Sequence, residues 1–250
     1  MTTGARAPRL GLEPGGAIAA DWGLRTLDEA PVMTPTDARP TIVLGTRNKK
    51  KGREIALLIA PPWESHPRLA RLVARTLDEW PALPDVVEDA PDFAGNARKK
   101  ASETARALGL WVVADDSGLA IDALGGEPGV LSARYAGGHG DDEANNRLVL
   151  ANMADVPEGR RGAAFVCTLA LADPSGAIRL EAEGRCRGLL THEPRGQGGF
   201  GYDPLFLIPE YHRTFGELSP LVKSQLSHRA RAFSRLRVGL DRLIGTGEFG

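Results

Sequence analysis

Two adjacent carboxylates, Asp115 and Asp116, directly follow the apolar run 110–114, which is typical of a buried strand. Open α/β sheets place their ligand sites at the carboxyl ends of strands. Paired carboxylates at such an end suit Mg²⁺, which prefers oxygen ligands and substrate phosphates. Side chains alternate along a strand, so both carboxylates can reach one ion only if the strand has already ended. We therefore expect the strand to end before Asp115; a turn that carries a helix cap is the alternative.

Lysines are concentrated in this sequence, since five of the six fall in two short clusters while arginine is used 25 times. The first cluster, Lys49–Lys51, comes between a buried strand at 41–46 and a helix at 53–59. Lysines and helix-terminal N–H groups together favour a phosphate at such a place. A solvated basic turn is the alternative, and a Walker A loop is excluded because its Gly-Lys-Ser/Thr ending is missing.

A glycine-rich loop at 195–204 sets an aromatic residue, Phe200, between two glycines. Its letters match the dinucleotide fingerprint, but that fingerprint needs a helix after it, and here a strand at 205–208 follows. Glycines beside a ring let a flat ligand approach the backbone and stack. We interpret the loop as a stacking site, with a tight loop around a core phenylalanine as the alternative.

Three residues near the C-terminus combine a helix cap with two cationic or hydrogen-bonding side chains. Ser227 is suited to cap a helix, which places His228 and Arg229 in its first turn. Cations there oppose the helix dipole at a cost of a few tenths to ~1 kcal/mol. An anion bound at this helix end would offset that cost. Taken one at a time, such residues are more often ordinary surface positions.

The elements that must position these residues alternate between strands and helices. A helix is predicted over Phe93–Leu108, with Gly109 as its C-cap. A hairpin joins strands at 163–172 and 177–190, and a helical region covers 219–244. This order predicts an α/β fold with a mixed sheet and flanking helices.

Composition narrows the class of protein further. The net charge of -1 gives no global field for nucleic acid, and no apolar run approaches the ~20 residues of a spanning helix. We therefore expect neither nucleic-acid nor membrane partners. Cys167 and Cys186 would lie too far apart on the hairpin to pair, which suits free thiols in a reducing cytoplasm. The 250 residues are interpreted as a mobile N-terminal extension, 1–40, and one domain, 41–250.

With these motifs in order, the chain resembles the Ham1/RdgB-type nucleoside-triphosphate pyrophosphatases, the inosine-triphosphatase family. The resemblance spans about 41–243 and rests on five ordered motifs. They are Asn48 with Lys51 in a loop similar to Thr-Gly-Asn-x-x-Lys, the run Ala-Asp-Asp-Ser-Gly-Leu at 114–119, the run Pro-Gly-Val-Leu-Ser-Ala-Arg-Tyr at 128–135, the run Gly-Gly-Phe-Gly-Tyr-Asp-Pro at 198–204, and Ser-His-Arg at 227–229.

The resemblance implies a fold, a reaction and a cofactor. The fold would be an elongated mixed α/β structure with two lobes around a central cleft, usually as a homodimer. The reaction would hydrolyse dITP/ITP and XTP/dXTP, purine nucleoside triphosphates of non-canonical base, to the monophosphate and pyrophosphate. This activity cleanses the nucleotide pool and depends on Mg²⁺.

Two positions depart from the family's pattern. The glycine of the first motif is Arg47 here, so the backbone would approach the phosphates differently or Arg47 would contact them itself. The family's Phe-x-Glu-Asn-Ala has Gly95 in place of its glutamate. That leaves Glu88, in the acidic segment before this helix, as the candidate second metal ligand.

The resemblance also implies a role for individual residues. Asp116 would bind Mg²⁺ together with Glu88 and act as general base, with Asp115 in support. The triphosphate would be held by Thr46, Arg47, Asn48, Lys49, Lys50, Lys51 and Lys223. Phe200 would stack on the purine, and further substrate contacts would come from Ser117, Gly201, Tyr202, Asp203, His228 and Arg229.

Base selection follows from hydrogen-bond chemistry at this site. A 6-keto purine offers an acceptor to Arg229 or His228, whereas the 6-amino group of adenine would leave those donors unpaired. Two alternatives stay open at this point. One is a Maf-like nucleotide pyrophosphatase of other base specificity, and the other is a non-catalytic nucleotide-binding or nucleic-acid-binding module. The adjacent carboxylates favour catalysis.

Overall fold

The computed structural model describes residues 39–59, 68–138 and 140–249, and seven strands among them form one curled mixed sheet. The strands are β1 (Thr41–Leu44), β2 (Val73–Thr76), β3 (Val112–Ile121), β4 (Gly162–Ala172), β5 (Ile178–Leu190), β6 (Phe206–Ile208) and β7 (Arg213–Thr214). The helices are α1 (Lys49–Ile59), α2 (Phe93–Leu108), α3 (Asp142–Asn152), α4 (Pro220–Leu226) and α5 (His228–Gly245). The predicted α/β class with a mixed sheet and flanking helices is confirmed.

The order of strands in the sheet is β2-β1-β3-β4-β5-β6-β7. β1 pairs with β2 and β3 in parallel, and every later neighbour is antiparallel. β4 is apolar along nearly its whole length and is buried on both faces, as expected of a central strand. The predicted mobile extension, residues 1–40, lies outside the described residues apart from Arg39 and Pro40.

Helices cover both faces of β4, and each face has its own core. Cys167, Leu169 and Leu171 pack in one cluster with the apolar residues of α5. Ala170 and Ala172, which point the other way, pack with the alanine face of α2. Near the middle of β3 and β4, a side chain therefore lies on the α5 face or on the α2 face according to its parity along the strand.

The predicted end of the third strand was wrong. β3 continues through Asp115 and Asp116 to Ile121, because its backbone stays paired with β4 beyond that point. Asp115 lies opposite Leu169, and Asp116 lies opposite Thr168. Backbone pairing is indifferent to side-chain polarity, and both carboxylates find partners within the fold. The two side chains consequently point to opposite faces of the sheet.

Local capping signals set the helix ends that position the site. α2 covers the predicted residues, and Gly109 ends it in the left-handed conformation with φ 64°. α1 begins at Lys49, four residues before the predicted start, because Asn48 caps it through its side chain. The predicted C-terminal helical region is two helices, since Ser227 ends α4 and caps α5.

Both cysteines are free, as predicted, and the structure shows that both are buried. Cys167 lies opposite Gly184, and Cys186 lies opposite Phe165. Burial raises the pKa of Cys186 to about 11, so this thiol stays protonated. No helix within the described residues is long and apolar enough to cross a bilayer.

Candidate active site

The loop between β1 and α1, residues 46–51, carries the lysine cluster and is called here the lysine loop. The Asn48 side chain accepts hydrogen bonds from the backbone N–H groups of Lys50 and Lys51 at 3.0 and 3.1 Å. Thr46 Oγ1 accepts from the backbone N–H of Asn48. Lys49 and Lys50 are exposed, whereas Lys51 turns inward, with Nζ 3.4 Å from Asp115. The loop thus presents a rigid helix start with one lysine aimed at the carboxylates.

Asp115 lies on the α5 face of β3 and is surrounded by positive charge. Its Oδ2 accepts a 3.0 Å hydrogen bond from the Ser117 hydroxyl and lies 3.6 Å from Arg229 Nε. Burial by itself would raise the pKa of Asp115, but Lys51, Arg229 and Lys100 outweigh that effect and hold it below its ordinary value. Asp115 is therefore a permanent anion that fixes two cations in place.

Asp116 lies on the α2 face and has a different environment. Its Oδ2 accepts a 3.0 Å hydrogen bond from Asn96 Nδ2, and its Oδ1 lies 3.7 Å from Lys100 Nζ. Burial and the nearby Glu88 raise the pKa of Asp116 despite the charge of Lys100. A carboxylate with a raised pKa, placed beside a cation in a pocket, has the properties of a general base.

Asn96 and Lys100 were not predicted as site residues. The signal was present, because they stand four residues apart on α2 and so share one face of that helix. Lys100 belongs to the second lysine cluster, to which the sequence alone assigned no role. Asn96 also accepts a hydrogen bond from the backbone N–H of Ala90 through its Oδ1.

The predicted metal ligands are brought together around a cation. Lys100 Nζ lies 3.2 Å from Glu88 Oε1 and 3.7 Å from Asp116 Oδ1, so one positive charge already sits between the two carboxylates. Among the described residues no three His, Cys, Asp or Glu side chains converge as a metal cluster. Two carboxylates that leave further positions to phosphate and water oxygens fit Mg²⁺, which keeps several waters and binds substrate phosphates.

A second group of charges lies between α1, the glycine loop and α5. Glu54 accepts hydrogen bonds from Lys223 Nζ at 2.8 Å and from Arg229 Nη1 at 2.6 Å. Lys223 Nζ also lies 2.6 Å from Asp203 Oδ2. Burial alone would raise the pKa of Glu54, but Arg229 and Lys223 lower it. Glu54 was not predicted; it stands one helical turn after Lys51, which is the signal that could have found it.

Phe200 lies at the centre of this charged surface. Its half-buried ring has three cations around it, with Lys223 Nζ at 4.7 Å, Arg229 Cζ at 5.4 Å and Lys50 Nζ at 5.7 Å from the centroid. The backbone N–H of Phe200 donates to Asp203 Oδ2 at 2.7 Å. The ring is thus held at a fixed place where a flat ligand would be surrounded by cations.

The residues around Phe200 mainly shape the loop. Gly199 adopts φ +74°, and a Cβ there would lie 2.0 Å from Asp203 Oδ2, so only glycine fits. The Gly201 N–H donates to Asp142, which also binds Lys50. Tyr202 is buried and donates its hydroxyl hydrogen to the Ser132 carbonyl at 2.8 Å. The polar groups of Tyr202 and Asp203 therefore have protein partners that hold the loop.

His228 and Arg229 are brought to the site by the capped start of α5. The Ser227 hydroxyl accepts from the Ala230 N–H, as predicted. His228 is fully buried against the Phe165 ring at 4.9 Å, and burial lowers its pKa well below the ordinary value. Its Nδ1 has no hydrogen-bond partner among the described residues. A buried, neutral ring with a free nitrogen can still bond to a ligand.

Gly184 on β5 allows the start of α5 to lie very close to the sheet. A Cβ on Gly184 would lie 2.1 Å from the His228 carbonyl oxygen and 2.4 Å from the Ala232 nitrogen. The first turn of α5 therefore rests directly on the backbone of the sheet. No other residue type fits there without moving the helix.

The phosphate-side residues line one pocket of about 380 Å³. Its walls include Thr46, Arg47, Asn48, Lys51, Glu88, Lys100, Asp116, Ser117 and Arg134. The pocket joins the lysine loop to Asp116 and Glu88, the two candidate metal ligands. Lys223 and Phe200 do not line this pocket. They lie with Glu54 and Asp203, on the other side of Arg229.

Comparison with known protein families shows that the Ham1 family model matches residues 42–238. The chain belongs to the Ham1 family. The dITP/XTP pyrophosphatase of Rhodopirellula baltica is 52% identical over 203 residues, which cover 81% of this chain and 94% of that protein. The dITP/XTP pyrophosphatase of Shouchella clausii is 45% identical over 200 residues, covering 80% and 96%.

Solved structures of Ham1 proteins have the same fold. A HAM1 protein from Coxiella burnetii superposes with a TM-score of 0.71 at 36% identity, covering 81% of this chain and 98% of that chain. The Ham1 protein of Staphylococcus aureus gives a TM-score of 0.70 at 33% identity with the same coverage.

Two departures from the Ham1 motifs have a visible structural setting. A Cβ on Gly95 would lie 2.6 Å from the Ala90 Cβ, so the glutamate of the motif does not fit here without a shift of the preceding segment. Arg47, predicted beside the phosphates, directs its guanidinium to the chain around residues 77–85 instead. The pocket wall at this place is built differently from the motif.

Proposed function

We propose that this Ham1-family chain is a nucleoside-triphosphate pyrophosphohydrolase that hydrolyses dITP/ITP and XTP/dXTP to the monophosphate and pyrophosphate. The observation that carries the proposal is the environment of Asp116, a buried carboxylate that accepts a hydrogen bond from Asn96 and lies 3.7 Å from Lys100. It faces the pocket that the lysine loop also lines. The names of the relatives, dITP/XTP pyrophosphatases at 45–52% identity, support the substrate class.

The phosphate chain would be bound by the lysine loop. The backbone start of α1 and the ammonium groups of Lys49, Lys50 and Lys51 suit phosphate oxygens. Lys51 is the inward one, and Asp115 holds it at the pocket. Thr46 and Asn48 keep the loop in shape, and Ser117 lines the same pocket.

Glu88 and Asp116 would hold Mg²⁺, and Lys100 would then lie against the phosphates. When bound, the ion would offset the negative charge of the phosphates. Asp116 accepts the proton of the attacking water, and the adjacent Asp115 supports it by fixing Lys51 and Arg229. Attack at the α-phosphorus releases pyrophosphate.

The base would lie on Phe200, beside Arg229 and His228. The Phe200 ring gives a stacking surface that accepts any purine. His228, neutral and with a free Nδ1, and the Arg229 guanidinium would face the 6-position of the base. A 6-keto group offers them an acceptor, whereas the adenine amino group would leave a buried donor unpaired. Lys223, which is bound to Glu54 and Asp203, would complete the site. Gly201 and Tyr202 keep the Phe200 ring in place.

Three further assignments rest on the family resemblance. We propose that residues 41–250 form the catalytic domain and that residues 1–40 are an N-terminal extension. We also propose that the enzyme acts as a homodimer in the cytoplasm. Light scattering of the purified chain tests the homodimer.

The decisive experiment identifies the products formed from ITP in the presence of Mg²⁺. IMP with pyrophosphate is expected, whereas IDP with phosphate would contradict the reaction class. The same assay is repeated with Asp116→Asn, which should lose about 10²-fold or more in turnover, the scale for losing a positioned base. Asp155→Asn, the same change at an exposed aspartate, is the control. A panel of pyrimidine and purine triphosphates separates this function from a Maf-like one, and binding without turnover would indicate a non-catalytic module.

A further inference from the structure

The guanidinium of Arg47 joins the lysine loop to a distant part of the chain. Nε donates to Asp85 Oδ1 at 2.8 Å, and Nη1 donates to the Leu77 carbonyl at 3.4 Å. Nη2 donates to the Trp80 carbonyl at 3.1 Å and to the Leu83 carbonyl. Four acceptors on one guanidinium use its planar set of donors, which no other side chain offers.

The segment 84–91, which Arg47 contacts at Asp85, has little backbone support of its own. Among the described residues, 84–91 form no helix or strand and make no backbone–backbone hydrogen bond. Side chains hold this segment instead. Arg47 contacts it at Asp85. Its other three acceptors, the carbonyls of Leu77, Trp80 and Leu83, lie in the chain just before it. On the other side Arg134 donates to the Glu88 carbonyl at 3.3 Å, and Asn96 binds the Ala90 N–H.

Glu88 is the functional residue of this segment. Its carboxylate reaches Lys100 and, through it, Asp116. The lysine loop and Glu88 line the same pocket, so the distance between them fixes where phosphate and cation meet. Arg47 ties the lysine loop to the start of the segment that carries Glu88, at Asp85.

We propose that Arg47 is a positioning residue that holds the 84–91 segment so that Glu88 serves as the second metal ligand. Glu88 comes from a segment with no backbone pairing, and Arg47 fastens the start of that segment, at Asp85, to the lysine loop. This inference rests on the proposed function, because it takes Glu88 as a metal ligand.

The link itself is tested on the protein without nucleotide or metal. Hydrogen–deuterium exchange of residues 80–91 is compared in wild type, Arg47→Gly and Arg47→Lys. Both variants should exchange faster in this segment, because one ammonium cannot reach four acceptors. Arg53→Ala removes an exposed arginine from α1, the helix that follows the lysine loop, and should leave the exchange unchanged. Unchanged exchange in Arg47→Gly would overturn the proposal, whatever the enzyme's activity.

The coupling to Glu88 is tested with Mn²⁺ as the probe. Mn²⁺ binding, followed by electron paramagnetic resonance, should weaken about 10–100-fold in Arg47→Gly, the range for loss of a residue that orients a metal ligand. The KM for ITP at saturating metal should change much less. In a Glu88→Gln background, Arg47→Gly should add no further loss of Mn²⁺ affinity, since both act through the same carboxylate.

Three outcomes would contradict this coupling. A raised KM for ITP with unchanged Mn²⁺ affinity would place Arg47 at the triphosphate. Additive losses in the double variant would show that Arg47 acts independently of Glu88. Wild-type Mn²⁺ affinity in Glu88→Gln would remove the metal role of Glu88. A wild-type enzyme that binds Mn²⁺ with the expected coupling but releases no pyrophosphate would instead contradict the proposed function alone.

Discussion

The carboxylates of Asp115 and Asp116 are adjacent in sequence and face opposite sides of the sheet. Asp115 faces α5 and is held as an anion by Lys51 and Arg229. Asp116 faces α2, where burial raises its pKa. The two environments shift the two pKa values in opposite directions, which suits Asp116 to acid–base chemistry and Asp115 to holding the cations.

Asp115→Asn should therefore destabilise the fold more than Asp116→Asn does. Without Asp115 the buried Arg229 and the inward Lys51 lose a counter-charge, and breaking a buried pair costs about 3–5 kcal/mol. Asp116→Asn leaves Lys100 paired with Glu88. Urea unfolding of both variants measures the free energy of unfolding. Equal losses would mean that Asp115 has no special role in holding the cations.

Phe200→Ala should weaken the binding of every purine nucleotide by a similar factor. Stacking of a base on an aromatic ring contributes ~1–3 kcal/mol with little base preference. Binding of ITP, XTP and GTP is measured by calorimetry in the Asp116→Asn background, where turnover is slow. Phe200→Trp, which keeps a ring, is the matched control and should retain most of the affinity. A loss confined to one base would show that Phe200 selects rather than stacks.

Arg229→Lys should reduce the preference for ITP over ATP. Lysine retains the charge that Glu54 and Asp115 require but loses the planar fork. A hydrogen bond from a charged donor contributes about 1.5–3 kcal/mol, so the ratio of kcat/KM for the two substrates should fall at least tenfold. Phe200→Ala should leave that ratio unchanged. The opposite pattern would reverse the roles of the two residues.

His228 should make the protein less stable in mild acid. Its folded pKa lies well below the ordinary 6.5, so below about pH 6.5 the unfolded chain binds a proton that the folded chain does not. Stability is then full above that pH and falls by about 1.4 kcal/mol per pH unit below it, until the folded pKa is reached. Urea unfolding at several pH values measures this slope.

His228→Phe should flatten that slope, because phenylalanine can pack on Phe165 and binds no proton. The control is His192→Phe, at an exposed histidine, which should keep the wild-type slope. A slope that persists in His228→Phe would assign the acid sensitivity to other groups.

Local signals made part of this fold predictable. The bounds of α2 follow from its apolar face and from Gly109, both of which lie within the helix or next to it. The Ser227 cap is equally local. The continuation of β3 past Asp115 is not, because β4, some 50 residues later in the chain, supplies the pairing. The polar residues at 115 and 116 predict the end of a strand, but hydrogen bonding to β4 continues β3 past them.

The candidate site divides in the same way. The lysine loop, Phe200 and the carboxylate pair stand out in the sequence because of their residue types and spacing. Glu54 and Lys100 do not, since each gains its meaning from a partner on another element. Arg47 was visible only as a departure from the motif. The four acceptors that it binds lie 30 or more residues away, so no local pattern contains them.

The part of the site that would bind the base is sensitive to substitution of Gly184, which itself does not line the site. The start of α5 rests on its bare backbone, so any side chain there would act as a wedge behind His228 and Arg229. A shift of about 1 Å in a positioned group can cost about 10²-fold in rate. In a mutational scan read out by catalysis, this position on β5, under the start of α5, would therefore score like a substrate contact. Structural mapping would be needed to recognise it as a spacer.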